Sequence, residues 1–163
     1  MVSGFLLDVN VLIALLWPPH AAHPRAQRWF AQNAHQGWAT CAMSQAAFVR
    51  IVSNPAFSRR VVSPRDALEV LSGSLQHPAH RFWTEDIGVM EALAHFGRRL
   101  IGHQQITDAY LLGLAIHKKG RLATFDASLG SLLPDQGGAK NRTGTVRRWH
   151  DWLRPPVQQG KPA

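Results

Sequence analysis

Asp8, Asp108 and Asp126 are the residues whose type and placement could do chemistry together. Asp8 ends the apolar run Phe5-Leu6-Leu7, and Asp126 ends a second run, Leu122–Phe125. Asp108 opens a helical stripe shared with Leu111, Leu112, Ala115 and Ile116, so its side chain is expected to point inward. Singly, each has an ordinary reading: Asp8 and Asp126 as caps of the next helix, Asp108 as an anion favoured by a helix dipole. Jointly they say more, because open parallel sheets bind ligands beyond the carboxyl ends of their strands. Three inward carboxylates repel one another and resist burial. A divalent cation, Mg²⁺ or Mn²⁺, resolves that conflict, since such ions take hard oxygen ligands, keep several waters and bind phosphate. An ion held there lowers the pKa of a bound water and stabilises the leaving oxygen of a phosphodiester.

Elements able to bring these groups together are legible along the chain. Phe5–Leu7 reads as a buried parallel strand. The stripe Val11, Leu12, Leu15, Leu16 reads as a helix ended by Pro18-Pro19. A second helix is expected over 24–34 with Ala26, Trp29 and Phe30 inside, then a strand from Trp38 to Cys41. Ser44 is the expected N-cap of a helix bearing Phe48, Val49, Ile51 and Val52. Ser63-Pro64 opens another helix, to about Leu75. Arg81–Trp83 reads as a strand and Ile87–Leu100 as a helix. Thr107 is the expected cap of a helix ending at Gly120, and Leu122–Phe125 is the next strand. Residues 146–153 hold a last strand or helix. Strands alternating with helices give one α/β domain over residues 1–153, a mostly parallel central sheet flanked by helices, with 154–163 as a disordered tail.

The 163-residue chain carries 18 Lys+Arg against 10 Asp+Glu, a formal charge of +8. Basic pairs at Arg59–Arg60, Arg98–Arg99, Lys118–Lys119 and Arg147–Arg148 lack an acidic counterweight in sequence, which favours a polyanionic partner such as nucleic acid. No apolar run approaches the roughly 20 residues that span a bilayer. The start has no basic n-region and reads as a strand, not a signal peptide. Cys41 is the single cysteine, which fits a reducing cytoplasm and excludes an intrachain disulfide.

Four segments, in order, resemble the motifs of PIN-domain ribonucleases. They are Leu6-Leu7-Asp8-Val9-Asn10-Val11-Leu12-Ile13, Ser44-Gln45-Ala46-Ala47-Phe48-Val49-Arg50, Ile106-Thr107-Asp108-Ala109-Tyr110-Leu111 and Leu122-Ala123-Thr124-Phe125-Asp126. The second is similar to that of VapC toxins of bacterial toxin–antitoxin pairs. This resemblance covers about residues 3–150 and implies an endoribonuclease that uses Mg²⁺ or Mn²⁺. It also implies an RNA substrate, a cognate antitoxin that inhibits the enzyme, and a homodimer. Asp8, Asp108 and Asp126 would be metal ligands, with Asn10 and Thr124 as polar neighbours that orient a ligand or a metal-bound water. Position 45 departs from the family pattern, where glutamate is usual. Gln45 shares a face with Phe48, Val49 and Val52 and points inward. Its amide offers one carbonyl oxygen but neither charge nor a base, so one tightly held metal is expected rather than two.

Other groups carry weaker signals. His20/His23 and His77/His80 have a spacing that could suit zinc, but no further ligand completes either pair, and they read as surface histidines. Cys41 reads as inert core. Trp29 and Trp38 fit the core, whereas Trp149 and Trp152 beside Arg147 and Arg148 could contact RNA or a partner. Arg50 and Asn54 face outward, where phosphate contact competes with an ordinary surface role. Asp8-Val9-Asn10 also resembles the Asp-x-Asp opening of haloacid-dehalogenase-like phosphatases. That reading lacks the second aspartate, and no suitable acidic pair follows its first lysine, Lys118. A noncatalytic PIN-like domain that binds RNA or protein is the rival from another class, with Gln45 its best support.

Overall fold

The structure is a computed structural model describing residues 4–133 and the strand 146–148. In chain order the elements are β1 (Phe5–Leu7), α1 (Val9–Leu16), α2 (His23–Asn33), β2 (Trp38–Thr40), α3 (Ala42–Val52), α4 (Pro64–Leu75), β3 (His80–Phe82), α5 (Val89–Ala94), α6 (Ile106–His117), β4 (Arg121–Thr124) and β5 (Val146–Arg148), with four short 3-10 turns between them. The five strands form one sheet in the order β3-β2-β1-β4-β5, and every pairing is parallel.

The pleat divides the core in two. Phe5 and Leu7 pack with Val11, Trp29, Trp38 and Phe48 on one face. Leu6 and Leu122 pack with Trp83, Leu111 and Leu112 on the other. Alternate residues of a strand point to opposite faces, so a short apolar run such as Phe5-Leu6-Leu7 feeds both cores and reads as continuously hydrophobic. Edge strand β3, by contrast, leaves Phe82 52% exposed.

The strand order places β2 on one side of β1 and β4 on the other. The connections leave β1 in opposite directions here, and the crevice beyond the strand ends opens at this switch point. Leu7 lies level with Ala123, so Asp8 emerges beside Thr124 and two residues from Asp126.

Several boundaries differ from the sequence expectation. Ser44 is not the N-cap of α3: that position is Cys41, and Ser44 lies in the first turn. Its hydroxyl folds back instead, accepting from Cys41 N and donating to Cys41 O, both at 3.1 Å. Thr107 likewise does not cap α6, which starts at Ile106 because the one-turn helix His103–Gln105 runs straight into it. The helix ends at His117, and Lys119 turns the chain with φ 56. The long helix expected over Ile87–Leu100 shortens to Val89–Ala94. Gly97 then takes φ 47, a left-handed conformation that suits glycine, and a separate turn carries Arg98 and Arg99. β2, β3 and β4 each end one residue earlier than expected. The Ser63-Pro64 start of α4 has the expected form: Ser63 Oγ accepts from Asp66 N at 3.1 Å, with proline in the first turn.

Residues 146–148 resolve the expected strand-or-helix segment as a strand. Trp149, Trp152 and the tail 154–163 lie outside the described residues. Among the described residues no helix is long and apolar enough to cross a membrane.

Candidate active site

Asp8 is the anchor of the crevice. It is 3% exposed and also caps α1, with Oδ1 accepting from Val9 N at 2.7 Å. Its other oxygen, Oδ2, accepts from Thr124 Oγ1 at 2.7 Å and from Asn10 Nδ2 at 3.0 Å. Burial pushes the Asp8 carboxyl above the ordinary carboxylate range, and the nearby charge of Asp126 adds to this. The hydrogen bonds from Thr124, Val9 and Asn10 pull the other way. The capping and site readings of Asp8 are thus compatible, since each oxygen serves a different neighbour.

Thr124 is the junction between β1 and β4. While donating to Asp8, its buried hydroxyl accepts from Asn10 Nδ2 at 3.2 Å and from Asp126 N at 3.0 Å. Asn10 closes the loop, its Oδ1 accepting from Phe125 N at 3.1 Å. Asp126 is half-buried and caps the 3-10 turn Ala127–Leu132, with Oδ1 accepting from Ser128 N at 2.7 Å. Asp8, Asn10, Thr124 and Asp126 are therefore one hydrogen-bonded unit built across two strand ends.

Asp108 enters from α6 and is joined to that unit by charge rather than by hydrogen bonds. Its half-buried carboxyl is pushed up to about 6, first by burial and then by the charges of Asp8 and Asp126. Elevation of this kind is what a carboxyl shows when it is partly buried beside like charges without a counter-charge. The donors are all oxygen, which suits a hard divalent ion that retains much of its water. No three His, Cys, Asp or Glu side chains among the described residues stand close enough to enclose a metal unaided. An open site, completed by water or phosphate oxygen, is the arrangement these residues fit.

Gln45 makes no hydrogen bond to that unit. Its Nε2 donates to Thr40 Oγ1 at 2.8 Å, and that hydroxyl meets His80 Nε2 at 2.9 Å. Thr40 Oγ1 thus joins Gln45 to His80, whose burial holds the imidazole below its usual pKa. The reading of His77 and His80 as surface histidines is corrected: His77 Nδ1 accepts from Trp38 Nε1 at 3.2 Å, and both rings pack on Trp38. Cys41 is fully buried, as are Trp38 and most of Trp29.

A cleft of about 480 Å³ opens over Asp108 and Asp126. Its other walls come from the segment Ile101–Gln105 and from Ser128. Sequence reasoning passed over that segment because it carries no helical or strand periodicity. The available signal was Gln105, three residues after Gly102, whose Oε1 accepts from Ile101 N at 2.9 Å and Gly102 N at 3.2 Å.

A parallel α/β/α domain with an acidic crevice at its switch point is the class this geometry defines. The chain belongs to the PIN-domain family, which it matches over residues 5–132. Among its relatives is Ribonuclease VapC39 of Mycobacterium tuberculosis, 42% identical over 124 residues that cover 76% of this chain and 89% of the relative. Ribonuclease VapC38 of the same organism is 40% identical, covering 78% and 88% of the two chains. Ribonuclease VapC44 is 38% identical, covering 86% and 98%. In fold, the chain is similar to a crystal structure of VapBC2 from Rickettsia felis bound to a DNA fragment from their promoter. The TM-score is 0.58 and the identity 13%, with 91% of this chain and 99% of that one covered.

Proposed function

We propose that this chain is a divalent-metal-dependent endoribonuclease, a VapC-like toxin that cuts RNA phosphodiester bonds. The observation that carries the proposal is the convergence of Asp8, Asp108 and Asp126 at the β1/β4 switch point, with the Asp108 carboxyl raised by burial and then by the charges of the other two. The names of the curated relatives support RNA as the substrate. Resemblance to VapC toxins extends the proposal to a cognate antitoxin, a homodimer and a cytoplasmic setting.

Asp8, Asp108 and Asp126 would hold Mg²⁺ or Mn²⁺, and the ion supplies Lewis acidity toward phosphate oxygen and activation of water. The protein's own contribution is preorganisation. Thr124 and Asn10 fix Asp8 Oδ2, and the Ser128 amide fixes Asp126 Oδ1, so the carboxylates need little reordering to receive a cation. Asp108, its carboxyl raised to about 6, is mostly ionised at neutral pH. Gln45 adds an amide directed to Thr40 and no charge, which supports one tightly held ion.

The deciding experiment is cleavage of labelled RNA by purified protein with Mg²⁺, with Mn²⁺ and with EDTA, with Asp8→Asn alongside. Cleavage that needs metal and disappears in the variant is expected. Equal cleavage by wild type and Asp8→Asn would remove the site from the mechanism.

A further inference from the structure

We infer that the segment Arg98–Gln105 is the wall that holds the substrate strand, with His103 and Gln104 contacting the sugar–phosphate of the nucleotide in the cleft. This rests on the ribonuclease reading and extends it to residues outside the carboxylate unit. The cleft over Asp108 and Asp126 has the Ile101–Gln105 segment along one side. That segment is held in shape from within: the side chain of Gln105 binds the amides of Ile101 and Gly102, and its last turn continues directly into α6.

Gln105 is committed to the loop, whereas the side chains of His103 and Gln104 are exposed at the cleft and make no hydrogen bond or ion pair with other described residues. An imidazole and a primary amide offer N–H donors without adding negative charge. Donors beside two carboxylates fit a ligand that is anionic and reaches those carboxylates through a cation. A phosphodiester has that character, and an acidic protein segment without a metal does not. Upstream, Arg98 and Arg99 are exposed on their turn and form no ion pair with a described residue. Gly97, with φ 47, opens the short turn that carries both cations. Ile101, 87% exposed at the rim, gives an unstacked base an apolar surface. Cations, neutral donors and an apolar rim in sequence are the elements that bind a single strand.

The test measures binding and cleavage separately. Binding of a fluorescent RNA oligonucleotide is followed by anisotropy in EDTA and in Ca²⁺ across a salt series, and cleavage kinetics are measured in Mn²⁺. His103→Ala/Gln104→Ala is expected to weaken binding about tenfold or more and to raise KM more than it lowers kcat. Arg98→Ala/Arg99→Ala is expected to weaken binding and to flatten the salt dependence by about 1.4 in log–log slope, for two contacts to single-stranded phosphate. Asp108→Asn is expected to lose cleavage while keeping the RNA binding measured in EDTA. Both double variants alter exposed side chains, and thermal melting checks that each is folded. Should His103→Ala/Gln104→Ala not fold, the arginine pair alone decides, and an unchanged salt slope overturns the wall. Unchanged RNA affinity and KM in the two folded variants likewise overturn it, including where they lose a co-expressed protein partner instead. Failure of the wild type to bind or cut RNA at all overturns the ribonuclease reading first.

Discussion

Replacing Asp108 by asparagine should stabilise the metal-free protein while removing its response to metal. The Asp108 carboxyl is raised from 3.8 to about 6 by burial and by Asp8 and Asp126. An acid whose folded pKa lies above its unfolded value contributes stability that is complete below the unfolded pKa and lost as pH rises through the folded one. Wild-type protein therefore loses stability between about pH 4 and pH 7, as Asp108 ionises beside its neighbours. Undiluted, a shift of this size is worth about 3 kcal/mol. Because the group is half-buried, solvent screening reduces that to roughly 1–1.5 kcal/mol. The charge also sits in the first turn of α6, and losing its favourable interaction with the helix dipole costs about 0.5 kcal/mol. The net gain for Asp108→Asn is thus about 1 kcal/mol above pH 7, or about 2–4 °C in Tm for a domain of this size. No hydrogen bond of the carboxylate is lost, since its perturbation arises from burial and charge alone. Thermal melts in EDTA at about pH 4.5 and about pH 7.5 read the effect as a gain confined to the higher pH. Added Mg²⁺ should then raise the Tm of wild type and leave the variant nearly unchanged. An asparagine variant less stable than wild type at the higher pH would refute the reasoning, as would a gain of equal size at both.

Other predictions follow from the same contacts. Thr124→Val keeps the shape of the side chain but strips three hydrogen bonds from Asp8, Asn10 and Asp126; it should cost about 2–3 kcal/mol in urea unfolding and reduce cleavage, and an unshifted midpoint would count against the junction. Gln45→Glu should tighten Mn²⁺ binding in a calorimetric titration, because a carboxylate replaces the amide at the β2 end of the crevice; unchanged affinity would exclude position 45 from the metal site. Gly113→Ala would bring a methyl within 2.6 Å of Ala92 O and 2.8 Å of Ala92 Cβ, where α5 meets α6. It should destabilise by about 1–3 kcal/mol, and a Tm equal to wild type would show that the two helices part more easily than their packing implies.

Short-range pattern carried the fold class and most of the elements. Alternating apolar runs and helical stripes are local consequences of burial, so β1, α1, α4 and α6 can be read from neighbours a few residues apart. The ends of elements were less legible, because Ser44 and Thr107 have the right chemistry for a cap but lie inside turns opened by earlier residues. A capping residue is decided by where the preceding strand or turn delivers the chain. Gly97 illustrates the same limit: helical periodicity passes through it, but its left-handed backbone divides the segment.

From the sequence alone come the three carboxylates, their expected places at strand ends and helix start, and the motifs that join them to a family. Tertiary structure alone decides what each of them faces. The Thr124–Asp8 bond spans 116 positions of the chain, and nothing periodic encodes a contact of that length. It exists because β1 and β4 pair in parallel at the switch point. The same pairing brings together Asp8 and Asp126, whose charges add to burial in raising Asp108. Local sequence fixes which groups can ionise or donate, and the sheet register fixes which of them meet.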